Sequence, residues 1–234
     1  MKILGLDSSG LVASVAIVED GEMRGEYTIN YKKTHSQTLL PMLDEVAKMI
    51  ELNLETVDAI AVAGGPGSFT GLRIGSATAK GLGLALQKPL IHVPTVDALA
   101  YNLYGNTGVI CPIMDARRNQ TYTGLYAFDG NKMQIICEQC AVGIEEIIEK
   151  VNEQNRPVVF LGDGVPVFTS FIEEQCKVPY TFAPAHMNKQ RAGAVAVLGM
   201  KMFEAGEFET AMAHKPDYLR LSQAERELKE RQGE

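Results

Sequence analysis

A glycine-rich loop at residues 64–71, reading Gly-Gly-Pro-Gly-Ser-Phe-Thr-Gly, has the composition of an anion site between a strand and a helix. Glycine reaches backbone conformations closed to other residues, so successive N–H groups can turn toward a phosphate at the helix N-terminus. The loop holds no lysine and no Gly-Lys-Ser/Thr follows it, so it is not a Walker loop. A tight turn that holds the helix against the sheet explains the same residues. Both interpretations stay open, with Gly65 and Gly67 as the candidate phosphate contacts.

A second polar turn, Asp7-Ser8-Ser9-Gly10, follows the first apolar run of the chain. Asp7 at a strand end could orient Mg²⁺ or a water molecule, and Ser9 is the other candidate nucleotide contact of this turn. Aspartates at such turns also cap and brace loops, so a structural role is the alternative.

Metal-ligand spacing is not found among the four histidines, which are His35, His92, His186 and His214. Each is isolated in the sequence and is more typical of a surface or structural residue than of a ligand. The sequence therefore predicts no metal site.

Two other polar motifs permit chemistry without specifying it. Cys137 and Cys140 form a C-x-x-C, but no second cysteine pair or nearby histidine completes a zinc site, so reduced structural thiols are expected. Arg117 and Arg118 follow an apolar strand and are candidates for a phosphate or RNA contact. An isolated arginine pair is more often an ion-pair partner or a solvated edge, which favours the structural interpretation.

Two helices must flank the glycine loop in space. Apolar residues at helical spacing predict a helix over 36–51, with Leu39, Met42, Leu43 and Val46 on one face. A second helix, predicted over 70–87, carries small residues four apart, with Leu72 and Leu82 on its other faces; the stripe is Gly71, Gly75, Ala79 and Gly83. Each glycine in a helix interior lowers helix stability by about 1 kcal/mol relative to alanine, so close packing at these glycines must offset that free energy. Either the chain's own sheet or a helix of another subunit could provide that packing.

The order of elements repeats along the chain. Each half starts with strands and then adds helix, strand and helix, the order of a sheet covered by helices. The turn at 104–108 is the best boundary, so we predict an N-terminal lobe over 1–105 and a C-terminal lobe over 106–234, each an α/β unit with a mixed sheet. A charged helix or frayed tail from Ala224 is expected to end the chain.

Charge and composition restrict the partners. The 234 residues carry a net charge of −7, and the pI is about 5.2, so the overall field disfavours direct binding of a nucleic acid by this chain alone. The N-terminus has no apolar stretch long enough for a signal peptide, and no run approaches the roughly 18 apolar residues of a membrane span. We expect a cytoplasmic protein with no membrane contact.

Five segments together carry a resemblance that spans almost the whole chain. They are the Asp-Ser-Ser opening, HSQTLLPML at 35–43, GGPGSFTGLRIG at 64–75, MDARRNQTY at 114–122 and PDYLR at 216–220. In this order they resemble the TsaB family of tRNA-modification proteins. The resemblance implies the actin/Hsp70/sugar-kinase fold, with two related lobes around a cleft.

The same resemblance implies partners. TsaB-like proteins pair with a TsaD-like paralogue, and a TsaE-like ATPase joins them to form the threonylcarbamoyl group on an adenosine beside the tRNA anticodon. Their N-terminal lobe binds TsaD, or a second copy when TsaD is absent. For this chain the expected interface is Leu39, Met42, Leu43, Val46, Leu72, Gly75, Ala79, Leu82 and Gly83.

Two departures from the catalytic paralogue argue against chemistry. The resemblance implies that TsaD-like proteins hold a metal through two histidines one helical turn apart, but here His35 is followed at that spacing by Leu39. The glycoprotease activity that was once ascribed to the family therefore has no chemical support in this chain. In place of the paralogue's adenosine-binding glycines this chain has Gly-Asp-Gly-Val-Pro at 162–166, where Asp163 adds an acidic group and Pro166 a rigid ring. We therefore expect a degenerate cleft, no cofactor and a non-catalytic scaffold that meets tRNA only through the complex. The alternatives are an ATP-dependent phosphotransferase of the sugar-kinase type that uses Asp7, and a stand-alone homodimeric scaffold.

Overall fold

The first sheet of the computed structural model, which describes residues 1–31 and 33–220, is built from the N-terminal part of the chain. Its five strands run in the order β3-β2-β1-β4-β5. They are β1 Lys2–Asp7, β2 Ala13–Glu19, β3 Glu22–Ile29, β4 Ala59–Gly65 and β5 Leu90–Pro94. The accompanying helices are α1 His35–Met49, α2 Phe69–Leu86 and α3 Thr95–Tyr101.

The second sheet repeats the topology of the first. Its strands are β6 Val109–Asp115, β7 Gln120–Asp129, β8 Lys132–Gly143, β9 Val158–Leu161 and β10 Tyr180–Phe182, and its order is β8-β7-β6-β9-β10. In each sheet the first three strands pair with one another in antiparallel fashion, and the fourth and fifth are added in parallel. Two mixed sheets of one design confirm the predicted actin/Hsp70/sugar-kinase fold class. The remaining helices are α4 Ile144–Glu153, α5 Val165–Gln175 and α6 Ala192–Glu204.

Both faces of the first sheet are covered, which explains the continuous apolar sequence of its central strands. Leu4 and Leu6 point into a core shared with α1, whereas Ile3 and Ala61 point to the opposite face, where α6 packs. Successive strand residues face opposite ways, so a strand buried on both sides must be apolar at every position. All seven residues of β4 are buried for this reason.

Helix α6 crosses back from the C-terminal half and packs on the first sheet, against β1, β2, β4 and β5. Gly199 makes this possible, because a Cβ there would lie 2.6 Å from the Cβ of Ala61. The predicted division at 105/106 separates the two sheets, but helix α6 and the residues that follow it up to Asp217 contact the first of them. The charged helix expected from Ala224 lies outside the described residues.

The small-residue stripe of α2 packs inside its own lobe, which corrects the expectation that it meets a partner. A Cβ on Gly75 would lie 2.5 Å from the Ser8 hydroxyl oxygen, and one on Gly71 would collide with the Ser8 carbonyl. Gly83 packs in the same way on Leu90, and Ala79 is fully buried. The close approach that the glycines permit is therefore to the chain's own β1 turn and sheet.

The other expected interface residues are also turned inward. Those buried in the core under α1 and α2 are Leu39, Met42, Leu43 and Val46, and Leu82 is partly buried against the same core. Leu72 is also buried, with 1% exposure. The apolar face of an amphipathic helix packs on its own sheet before it is available to a partner. An interface on this lobe must therefore use the opposite sides of the two helices.

Candidate functional site

A cleft of about 660 Å³ lies between the two halves and is the place where this fold brings its loops together. The turn after β1, the start of α1 and the glycine loop line one side. The turn between β6 and β7, together with Asp163 and Arg220, lines the other. Of the four residues expected at a nucleotide site, Ser9 and Gly67 line this cleft, while Asp7 and Gly65 do not.

The glycine loop uses its amides within the protein. The N–H of Ser68 donates to the Ser9 carbonyl at 2.7 Å, and the N–H of Gly65 donates to the Thr95 hydroxyl at 3.1 Å. The N–H of Gly71 donates to the Ser68 side chain at 3.3 Å, which caps α2. These three hydrogen bonds support the interpretation of the loop as a tight turn, but they do not involve the amide of Gly67, which lines the cleft, so the phosphate interpretation stays open for that residue.

The two glycines of the loop have different surroundings. A Cβ on Gly67 would collide with the Ser9 carbonyl, so only glycine lets the two turns touch. Gly65 has a φ of +125° and lies under the Asp217 carbonyl, so the segment after α6 covers it. Gly65 is therefore not presented to a ligand in the cleft.

Asp7 braces its own turn. Its side chain is 1% exposed, and one carboxylate oxygen accepts hydrogen bonds from the Ser9 N–H at 2.8 Å and from the Ser9 hydroxyl at 2.7 Å. Burial raises the pKa of Asp7 to about 6, although the two bonds from Ser9 and the nearby His35 act in the opposite direction. The structure thus favours the bracing role over that of a Mg²⁺ ligand.

Cations line the far side of the cleft on an unusual turn. Arg117, Arg118 and Asn119 all have positive φ, at 67°, 57° and 57°. Left-handed backbone costs roughly 1–2 kcal/mol for such residues, so the turn is held by its surroundings. Arg117 pairs with Asp115 at 3.4 Å, and Arg220 donates to the Ala116 carbonyl. The ion pair favours the structural interpretation of Arg117.

The metal site of the catalytic paralogue does not fit here. His35 Nε2 lies 2.9 Å from the Gly10 carbonyl, and Leu39, one turn later, is a core residue with 1% exposure. The second imidazole of the pair is therefore replaced by packing. The loop at 162–166 is also engaged, since Asp163 accepts a hydrogen bond from the Asp115 N–H at 3.3 Å and burial raises the pKa of Asp163.

We predict that the isolated chain binds ATP weakly or not at all. The amides of Gly65, Ser68 and Gly71 donate within the chain, and Asp7 faces inward, so three donors of the loop and the candidate Mg²⁺ carboxylate are already engaged. Calorimetric titration with MgATP measures this, and a parallel titration with inorganic triphosphate identifies heat due only to the cleft arginines. Micromolar affinity for MgATP alone would contradict the prediction and support a phosphotransferase.

The spacing of residues in the sequence did not predict one cluster of side chains that could bind a metal. None of its three residues lines the cleft. His92 on β5 meets Glu209 and His214 from the segment after α6. Nothing in the sequence signals the cluster, because β5 and this segment are joined only by the fold.

Sequence spacing also missed the second small-residue stripe of α2. Ala77, Gly81 and Ala85 are exposed, and a Cβ on Gly81 would have nothing within 4 Å. Leu84 beside them is 53% exposed. We call Ala77, Gly81, Leu84 and Ala85 the outer α2 face. Helix α1 packs beside α2 and adds exposed apolar side chains of its own, Leu40 and Met49.

A search of the described part of the chain finds no helix with the length and apolarity that a bilayer crossing requires.

Comparison with known proteins agrees with this arrangement. The family model for TsaD, tRNA N6-adenosine threonylcarbamoyltransferase, matches residues 22–228. The tRNA threonylcarbamoyladenosine biosynthesis protein TsaB of Bacillus subtilis is 34% identical over 227 residues, covering 96% of each chain. The Escherichia coli protein of the same name is 28% identical over 231 residues, covering 97% of this chain and 98% of the other. The structure of YeaZ from Pseudomonas aeruginosa superposes with a TM-score of 0.81 at 27% identity, covering 93% of this chain and 99% of that one. The chain belongs to the TsaB family of tRNA threonylcarbamoyladenosine biosynthesis proteins.

Proposed function

We propose that this chain is a non-catalytic scaffold in threonylcarbamoyladenosine formation on tRNA. It pairs with a TsaD-like protein in the cytoplasm, a TsaE-like ATPase joins the complex, and the chain forms a homodimer when alone. The observation that carries the proposal is the state of the cleft: Leu39 occupies the place of the second histidine, and Asp7 is turned inward. With no histidine pair for a metal and with Asp7 turned inward, we infer that this family member acts by binding other proteins.

The outer α2 face is the surface we assign to the partner. Its small residues let a second helix approach closely, and Leu84 offers apolar area to bury. Leu40 and Met49 are exposed on opposite flanks of the neighbouring α1, so α1 can add one apolar side chain to a bundle formed by two helices of this lobe and two helices of a paralogous lobe. The division into lobes at 105/106 is part of this proposal, with the docking helices in the first.

The charge of the chain supports an indirect contact with tRNA. A net charge of −7 repels a phosphate backbone at long range. We therefore assign tRNA binding to the complex rather than to this chain alone.

We predict that Gly81→Leu weakens binding to the TsaD-like protein of the same host by at least tenfold while the chain still folds. The new side chain has open space in the isolated protein but blocks a helix that approaches there. Overpacking an interface costs about 1–3 kcal/mol, which is roughly one to two orders of magnitude in affinity. Co-expression followed by size-exclusion chromatography tests pairing, and calorimetry on the purified proteins measures the affinity.

Ser170→Leu is the matched control, because Ser170 is an exposed helical residue on α5 of the second sheet. It should bind like the unmodified chain. If Gly81→Leu folds and binds as tightly as this control, the outer α2 face is not the interface. If the unmodified chains do not pair at all, the scaffold function itself fails.

A further inference from the structure

A cluster of two histidines and a glutamate lies outside the cleft, where the edge strand β5 meets the segment that follows α6. His92 is on β5, and Glu209 and His214 are on that segment. One ligand atom from each of the three side chains lies within 4.8 Å of the other two. The proximity is fixed by the backbone, because Glu209 and Leu90 exchange two hydrogen bonds, at 2.8 and 2.9 Å.

His214 has one ring nitrogen satisfied and one left over. The residue is 1% exposed, and its Nδ1 lies 2.8 Å from a Glu209 carboxylate oxygen. Its Nε2 is buried and has no hydrogen-bond partner among residues 1–31 and 33–220. An ion shared with Glu209 would bind Nδ1, the ring nitrogen that faces the Glu209 carboxylate, and the proton of the neutral ring would then lie on Nε2.

His92 is the second imidazole of the cluster. Burial, and then the neighbouring His214, lower the pKa of His92, which favours the neutral imidazole that metals bind. The ring also packs directly on Gly64, where any Cβ would collide with it.

We propose that His92, Glu209 and His214 bind a divalent transition-metal ion of the Zn²⁺ type. Two imidazoles and one carboxylate suit Zn²⁺, whereas Mg²⁺ and Ca²⁺ prefer oxygen ligands throughout. Ligands about 2.0–2.1 Å from a tetrahedral ion lie about 3.4 Å from one another. The His214–Glu209 separation of 2.8 Å must therefore lengthen, and any separation that approaches 4.8 Å must shorten. Glu209, 31% exposed, has the freedom to make these adjustments. The site borders a surface pocket, which leaves a fourth position for water.

The ion has a structural consequence that reaches the cleft. It ties the segment after α6 to the edge of the first sheet, beyond the backbone pairing at Leu90. Three residues past His214 the same segment donates from the Asp217 N–H to the Gly64 carbonyl at 2.7 Å, and Tyr218 stacks on Phe69 at 4.6 Å. A metal at the cluster therefore holds the cover of the glycine loop in place.

Metal binding by the full chain tests the proposal. Protein stripped by a chelator is titrated with Zn²⁺ in a calorimeter, and with Co²⁺ while its visible absorption is recorded. We expect one equivalent to bind, with the Co²⁺ bands of a tetrahedral nitrogen and oxygen site, and a higher melting temperature with Zn²⁺. His92→Gln and Glu209→Gln should each weaken binding at least tenfold, since even outer contacts of metal sites change affinity by 10–100-fold.

His186→Ala is the control, because it removes an exposed imidazole that is outside the cluster. It should bind Zn²⁺ like the unmodified chain. Circular dichroism establishes that each variant is folded, and Glu209→Gln keeps the size of the side chain if His92→Gln does not fold. Absence of saturable binding, or equal affinity in Glu209→Gln and His186→Ala, would overturn the proposal.

Discussion

Gly75→Leu is expected to unfold or strongly destabilise the first lobe rather than act on a partner. A Cβ at this position already lies 2.5 Å from the Ser8 hydroxyl oxygen, and Val62 closes the space behind it at 3.8 Å. A leucine must push α2 away from the β1 turn and the sheet. Overpacking of this kind costs about 3 kcal/mol or more, which lowers the melting temperature of a chain of this size by roughly 6–12 °C. Thermal melts followed by circular dichroism measure the change.

Gly81→Ala is the matched comparison on the same helix. Its new Cβ has nothing within 4 Å, and alanine replaces glycine in a helix interior, so stability should rise by about 1 kcal/mol. Gly75→Leu should lower the free energy of unfolding and Gly81→Ala should raise it, so the two variants distinguish the buried face of α2 from the exposed one. A Gly75→Leu protein that melts like the unmodified chain would mean that the inner stripe is not packed on the sheet.

The two stripes of small residues on α2 also show what residue spacing can and cannot establish. The sequence contains two stripes of small residues on α2, Gly71 to Gly83 and Ala77 to Ala85, each with a spacing of four. Spacing predicts that a stripe allows close packing, but it carries no information on which stripe faces the sheet. That is decided by the contact with Ser8, a residue more than sixty positions earlier in the chain.

The fold was more accessible to prediction than the placement of its last helix. Apolar runs and turn residues predict the strands and helices in order, and the repetition of that order predicts two related sheets. Helix α6 is apolar almost all round, so its sequence is equally suited to either sheet. Gly5 and Gly199 select the first sheet, because their missing side chains make room for the crossing.

The candidate cleft was predicted in outline and corrected in detail. Ser9 and Gly67 line it as expected, because both follow strands that end at the same edge of the first sheet. Asp7 and Gly65 belong to the same turns but face into the protein. Side-chain direction within a turn depends on hydrogen bonds such as those from Ser9, which composition does not reveal.

Asp7→Asn is expected to flatten the pH dependence of stability between about pH 4 and pH 7. Burial raises the pKa of Asp7 in the folded chain to about 6, from an ordinary value of 3.8. Between these values the folded chain holds a proton that the unfolded chain has lost, so stability falls as pH rises through the interval. The contribution is complete below about pH 4, lost above about pH 6, and worth about 3 kcal/mol.

Ser9→Ala provides the matched change in the opposite direction. It removes the hydroxyl that donates to Asp7 at 2.7 Å and keeps the backbone N–H at 2.8 Å, so the pKa of Asp7 should rise further. The decline in stability should then extend to higher pH than in the unmodified chain. Urea unfolding at a series of pH values measures all three proteins, and the other titrating groups cancel in the differences. A difference between the unmodified chain and Asp7→Asn that stays constant from pH 4 to pH 7 would contradict the raised pKa, and would mean that Asp7 does not take up a proton on folding in this range.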